Sequence, residues 1–209
     1  MLLDLLTAVV VTYVGTTLVL RVRQTLQGPA RRRWVELVSG LRPRHFLLAP
    51  PAWVAVIGVF AALYLIPPLR FGWWTAIGGQ GNIVFGTTDH TAGTFLEWLI
   101  PLVFCSLLLP ALPLLVEREE RGFRLGAEDW SMKRRFVRGL QFGLLHLLAG
   151  IPIAAALALS CGGWWFTWMY LRAYRNGGQP AGLAASTRVH LAYDIEIVLI
   201  VVGAIALGS

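Results

Sequence analysis

The chain is short of charge. Only 14% of its 209 residues are Asp, Glu, Lys or Arg, against about a quarter in an ordinary soluble domain. With 56% hydrophobic residues and a mean hydropathy of +0.65, the deficit argues against a conventional water-facing surface and points to lipid as solvent. Cysteine is scarce as well. Cys105 and Cys161 are the only two, and both lie in or near apolar runs. A disulfide framework and a cysteine-based zinc site are therefore not read, and both residues are assigned to packing. No internal repeat and no low-complexity tract is present, and the length fits one domain. Acidic residues are outnumbered 11 to 18, giving a net charge of +7 and a pI near 10.2. Such a balance can mark nucleic-acid binding. Here the arginines fall in the gaps between apolar runs, where basic residues set membrane orientation, so no nucleic-acid partner is read.

A helix needs roughly 20 apolar residues to cross a bilayer. The candidate segments are 2–20, 46–69, 95–116, 139–160, 152–174 and 189–207. They predict an all-α, polytopic membrane bundle of about six hydrophobic helices. The first segment has no basic flank before it, carries Asp4 and is followed by Arg21 and Arg23. It reads as an uncleaved span, not a signal peptide. The fourth and fifth segments overlap, so 139–174 is expected to be a helical hairpin. Its break falls either at Gly150-Ile151-Pro152, where glycine is permissive and proline disfavours helix in the residue before it, or at Cys161-Gly162-Gly163. Arginine and lysine concentrate in 21–45, 117–138 and 172–188, while 70–94 carries only Arg70. With the hairpin, the three basic segments share one side. The positive-inside rule makes that side cytoplasmic in a plasma or inner membrane. Trp73 and Trp74 are assigned to an interfacial aromatic belt, and Asp89-His90 to a solvated loop.

Ionisable side chains at membrane depth are costly and usually mark function. Glu119 and Glu120 follow the apolar run that ends at Val116. On a continuing helix Glu120 and Arg124 are four apart and can pair, as can Glu117 and Arg121, while Glu119 points elsewhere. A helix end laced with ion pairs would look the same. His146 lies about seven residues, roughly 10 Å, into an apolar helix from Gly139, with Phe142 one turn before it. Alone, it could simply bond a backbone carbonyl. His190 and Asp194 share a helix face at i, i+4 and suit either a metal or a His–carboxylate pair. Glu196 and Glu97 are read as pairing with a neighbouring helix or snorkelling. Glu119, His146, His190 and Asp194 are expected to converge at one depth, near the cytoplasmic ends of their helices.

At these residues the chain resembles the CPBP family of intramembrane proteases (CAAX-prenyl-protease and bacteriocin-processing proteins, also called the Abi family). That family is marked by EExxxR, FxxxH and HxxxN or HxxxD on successive membrane helices. Here they read Glu119-Glu120-Arg-Gly-Phe-Arg124, Phe142-Gly-Leu-Leu-His146 and His190-Leu-Ala-Tyr-Asp194. A shifted register of the first motif, using Glu117 and Arg121-Gly122, lacks one glutamate. The resemblance covers about 117–207. It implies one membrane domain over 1–209, with a protease-like core at about 95–207 and accessory helices at 2–20 and 46–69.

The resemblance implies an endopeptidase acting on a membrane-associated or lipidated protein or peptide, with its site toward the cytoplasm. Glu119 would activate water with help from His146, and His190 with Asp194 would stabilise the oxyanion. Glu120, Arg124 and Phe142 would support the site. An ionised Asp194 cannot donate a hydrogen bond, so it must be protonated, orient His190 or bind a metal. Glu119, His146 and His190 are also acceptable zinc ligands, leaving metal-free and metal-dependent versions open. The rivals are a non-enzymatic immunity or binding protein of the same fold and a small proton-coupled transporter. Membrane lipid is a partner on every reading.

Overall fold

A computed structural model describes residues 2–82, 86–88 and 91–208; Asp89-His90 lies outside the described residues. The described residues are helical throughout, apart from turns and one isolated β-bridge between Gln80 and Thr87. The helices are α1 (Leu2–Thr25), α2 (Gly28–Ser39), α3 (Pro43–Leu48), α4 (Pro50–Tyr64), the single turn α5 (Trp73–Ala76), α6 (Leu96–Arg124), α7 (Met132–Leu145) and α8 (Ile153–Gly208). Among the described residues two helices are long and apolar enough to cross a membrane, Pro43–Tyr64 and Leu96–Asp129.

The hairpin forms at the first of the two expected breaks. A single 3-10 turn, His146–Ala149, ends α7, and Gly150 takes a left-handed φ of 77° before Pro152 starts the return. Gly162 and Gly163 stay helical. They serve packing instead, because Gly139 and Gly163 let α7 and α8 approach closely, and Gly143 sits directly on Ala156 and Ser160. Small residues at such crossings allow backbone-to-backbone contact.

Three stretches expected to be connections are helical. The segment 172–188 belongs to α8, broken only by Gly177 and Gly178, where Gly178 adopts φ 67° and ψ −166°. Past that kink, Ala and Leu favour helix at once, so α8 has two arms, 153–176 and 179–208. α2 was hidden among arginines. Its Leu37 is buried, and its Trp34 Nε1 donates to the Pro110 carbonyl at 2.8 Å. The first turns of α7 also lie within a stretch read as a loop.

The bundle has two chemically distinct ends. At one end α2 is tied to α6, with Arg33 donating to both Glu117 oxygens, the closest contact 2.7 Å. At this end Gly40 also makes room for the Arg188 guanidinium, and Glu128 accepts from Gln179 at 2.6 Å and from Tyr170 at 2.8 Å. The three basic segments thus meet. At the other end Ile153 N donates to the Phe71 carbonyl at 2.9 Å, and Trp73 Nε1 to the Leu147 carbonyl at 2.8 Å. The hairpin turn and the Trp-rich segment therefore pack together. This corrects the aromatic-belt assignment, because Trp74 is only 2% exposed and Trp73 is spent on the turn.

Candidate functional site

The site is built where α6, α7 and both arms of α8 meet. α6 runs beyond its apolar stretch to Arg124, and its last two turns turn inward. Glu120 and Arg124 are both wholly buried. Their i, i+4 spacing brings Arg124 Nη1 to 3.2 Å from Glu120 Oε1. Arg124 Nη2 donates to the Gly163 carbonyl at 3.3 Å, and the guanidinium carbon lies 4.2 Å from the centre of the Phe142 ring. Glu120 Oε2 and Arg124 Nε have no hydrogen-bond partner among the described residues. A buried pair with unused bonding capacity costs more in desolvation than it returns in stability. Its presence points to a role other than holding the fold.

His190, on the second arm of α8, completes the cluster. Its Nδ1 is 2.9 Å from Glu120 Oε1. An ionised carboxylate only accepts, so Nδ1 carries the proton and donates. That fixes the ring with Nε2 toward two further carboxylates, Asp194 Oδ2 at 3.6 Å and Glu119 Oε2 at 4.0 Å. Phe166 lies flat on the imidazole at 4.2 Å with 18° between planes. Phe142 stands edge-on to it at 5.5 Å. The sequence reading had Glu120 serving only Arg124. The structure gives it two partners and makes it the residue that aims His190.

Glu119 behaves as helix geometry required. It points away from the Arg124 pair and is 39% exposed, with His190 its partner. His146 is placed otherwise than expected. It caps the end of α7 remote from the basic loops, next to the hairpin turn. Its Nδ1 is 3.0 Å from the Phe142 carbonyl. A carbonyl only accepts, so Nδ1 carries a proton and donates. Phe142 links the two histidines, its ring 5.3 Å from that of His146. His190 therefore sits toward the basic end and His146 toward the hairpin turn, with Phe142 between them, so the expected common depth is not seen.

One chamber of about 420 Å³ touches His146, His190 and Asp194 together with Phe142, Phe166 and Tyr193. Its outer wall is α4, through Val56, Ile57 and Phe60. Two of its lining residues, Ile57 and Ala149, are exposed, so the mouth opens sideways between α4 and the hairpin turn. Glu119 is not part of the lining and approaches His190 from the α6 side. Tyr193 was missed by the sequence reading. It is 5% exposed, lines the chamber, and its hydroxyl has no partner among the described residues. Its place inside HxxxD was the available signal, since i+3 on a helix shares a face with i and nearly with i+4.

The remaining polar residues are accounted for. Glu117 pairs with Arg33 and Arg121, so the shifted motif register is occupied by a structural pair. Glu196 accepts from Trp53 Nε1 at 3.0 Å, and Glu97 from the Gly93 amide at 2.7 Å. Glu196 thus pairs with a neighbouring helix, α4, as expected, whereas the partner of Glu97 lies four residues before it. Cys105 is buried, Cys161 is half-buried, and both are free. Among the described residues no three His, Cys, Asp or Glu side chains are arranged to hold a metal ion. His146, beside the Phe142 ring, does not join Glu119 and His190 in such a group. No family model, no curated protein and no solved structure matches the chain.

Proposed function

We propose that the protein is a polytopic membrane hydrolase that cleaves a peptide bond in a membrane-associated or lipidated substrate, in the manner of the CPBP proteases its motifs resemble. The observation that carries this reading is the His190 imidazole, aimed by the buried Glu120 so that Nε2 faces Asp194 on the wall of a side-opening chamber and Glu119 on the α6 side. The separations of 3.6 and 4.0 Å from Nε2 to the two carboxylates are short enough for one water to bridge the imidazole and Glu119. Glu119 takes a proton from that water, and the resulting hydroxide adds to the substrate carbonyl carbon. His190, protonated between its carboxylates, donates to the oxyanion, a contribution often worth ~3 kcal/mol. Collapse breaks the C–N bond, and the leaving amine takes the proton from Glu119. Asp194 holds the imidazolium form, and His146 offers its Nε2 lone pair to a substrate N–H from across the chamber. No step requires a metal.

The lateral mouth supports a substrate arriving through lipid, as do exposed apolar side chains around it such as Val54, Ile57 and Leu148. The two-ended charge distribution supports basic loops in the cytoplasm. A second reading draws on the same row of groups. Asp194, His190, Glu120 and Arg124 form a buried titratable chain of the kind that relays protons. The test is cleavage of membrane-anchored and prenylated peptides by the full chain in vesicles, with products identified by mass spectrometry. Glu119→Gln and His190→Ala variants that insert normally are expected to be inactive. Full activity in both variants would sink the hydrolase reading, and proton flux under a pH gradient without cleavage would favour the relay.

A further inference from the structure

We infer that the protein carries a binding site for an anionic phospholipid, remote from the chamber, between the start of α7 and the end of the first arm of α8. A cavity of about 570 Å³ lies there, lined by Arg135, Arg172 and Arg175 together with Phe136, Trp164 and Trp168. It combines two surfaces that a phospholipid needs side by side.

The first surface is cationic. No carboxylate lines the cavity. Arg175 is exposed and makes no ion pair or hydrogen bond among the described residues, and Arg172 only stacks on Trp168, 5.4 Å from its ring. Arg135 is different. Its Nε and Nη2 donate to the Ala127 and Glu128 carbonyls at 3.0 Å each, so its charge is held in place at the cavity edge. Two free guanidiniums beside a fixed one form a preorganised phosphate cradle.

The second surface is aromatic. Phe136 stacks on Trp164 at 4.9 Å, and Trp164 Nε1 is spent on the Phe136 carbonyl at 3.0 Å. The stacked pair thus presents an apolar face with the Trp164 donor already used. Phe136 is 55% exposed and Trp168 45%. Such a wall suits acyl chains, while the arginines sit at the basic end, at the level of a headgroup. Basic pockets between helices on the cytoplasmic side fit lipid phosphates. The inference rests on the membrane part of the reading above and is independent of catalysis.

The test uses the full chain. Resistance of the membrane-bound protein to alkaline extraction is measured first; release would overturn the membrane reading and this site with it. Native mass spectrometry then counts lipids retained from vesicles of phosphatidylcholine with one-fifth phosphatidylglycerol. The wild type is expected to enrich phosphatidylglycerol about threefold over its share. The Arg172→Gln/Arg175→Gln double variant should fall to that share. An Arg31→Gln/Arg44→Gln control removes equal charge elsewhere and should keep the enrichment. Equal retention of both lipids, enrichment that survives the double variant, or equal loss in the control would each overturn the site. So would displacement by millimolar inorganic phosphate, which would identify a free-anion site instead. Peptidase activity of the double variant in phosphatidylcholine should match wild type, keeping this outcome separate from failure of the catalytic reading.

Discussion

Glu120 Oε1 lies 2.9 Å from His190 Nδ1 and 3.2 Å from Arg124 Nη1, so one buried carboxylate oxygen serves a cation on its own helix and an imidazole 70 residues away. The shared oxygen couples the fold of α6 to the orientation of the candidate site. Glu120→Gln keeps the shape and removes the charge, leaving Arg124 buried without a counter-ion. Breaking such a pair costs ~3–5 kcal/mol, read as a lower unfolding midpoint in detergent. Glu120→Leu/Arg124→Met should cost less than Glu120→Gln alone, because an apolar pair leaves no orphaned charge.

Glu119 and His190 should separate from Glu120 in kind. Glu119→Gln lowers peptide cleavage by ~10²–10⁴-fold, the usual worth of a general base. Its half-exposed carboxylate has no structural partner to lose beyond His190, so the unfolding midpoint should move little. Cleavage rates and midpoints measured on the same preparations check this.

Tyr193 lines the chamber, and its buried hydroxyl has no partner among the described residues. Removing an unpaired buried hydroxyl is neutral or stabilising. Tyr193→Phe is therefore expected to leave the midpoint unchanged or raise it. If the hydroxyl holds substrate or water, cleavage should fall by roughly tenfold or more, as for loss of one hydrogen bond to a reacting group. An unchanged rate would remove Tyr193 from the site.

The α7–α8 crossing gives a prediction independent of chemistry. A methyl group at Gly143 would run into the Ala156 carbonyl and Ser160. Overpacking of this kind costs ~1–3 kcal/mol. Gly143→Ala should lower the midpoint, whereas Gly122→Ala, with open space around its Cβ position, should not.

Much of this arrangement was legible in the sequence where local spacing decides it. The Glu120–Arg124 and Glu117–Arg121 pairs follow from i, i+4 geometry, and the hairpin follows from Gly150 and Pro152. What escaped needed tertiary knowledge. Spacing placed His190 beside Asp194 but could not show that Glu120, on another helix, would reach its Nδ1. Depth was misjudged for His146, because hydropathy locates an apolar run without saying which end of it faces which partner. α2 escaped because Arg31, Arg32 and Arg33 mask the apolar stripe of Trp34, Leu37 and Val38. Trp73 and Trp74 were assigned by residue type, whereas their indole donors and neighbours decided their role.

The placement of Arg124 one turn after Glu120 has a consequence for biosynthesis. α6 precedes α8 in the chain, so on the membrane reading proposed above its carboxylate passes through insertion before His190 exists to receive it. Paired within its own helix, the couple travels as a neutral unit and spares the nascent span an isolated charge in lipid. His190 then arrives against a partner already in place. The order of synthesis thus makes α8 the keystone, and a ribosome stalled before residue 190 should hold an inserted, foldable protein with an unfinished centre.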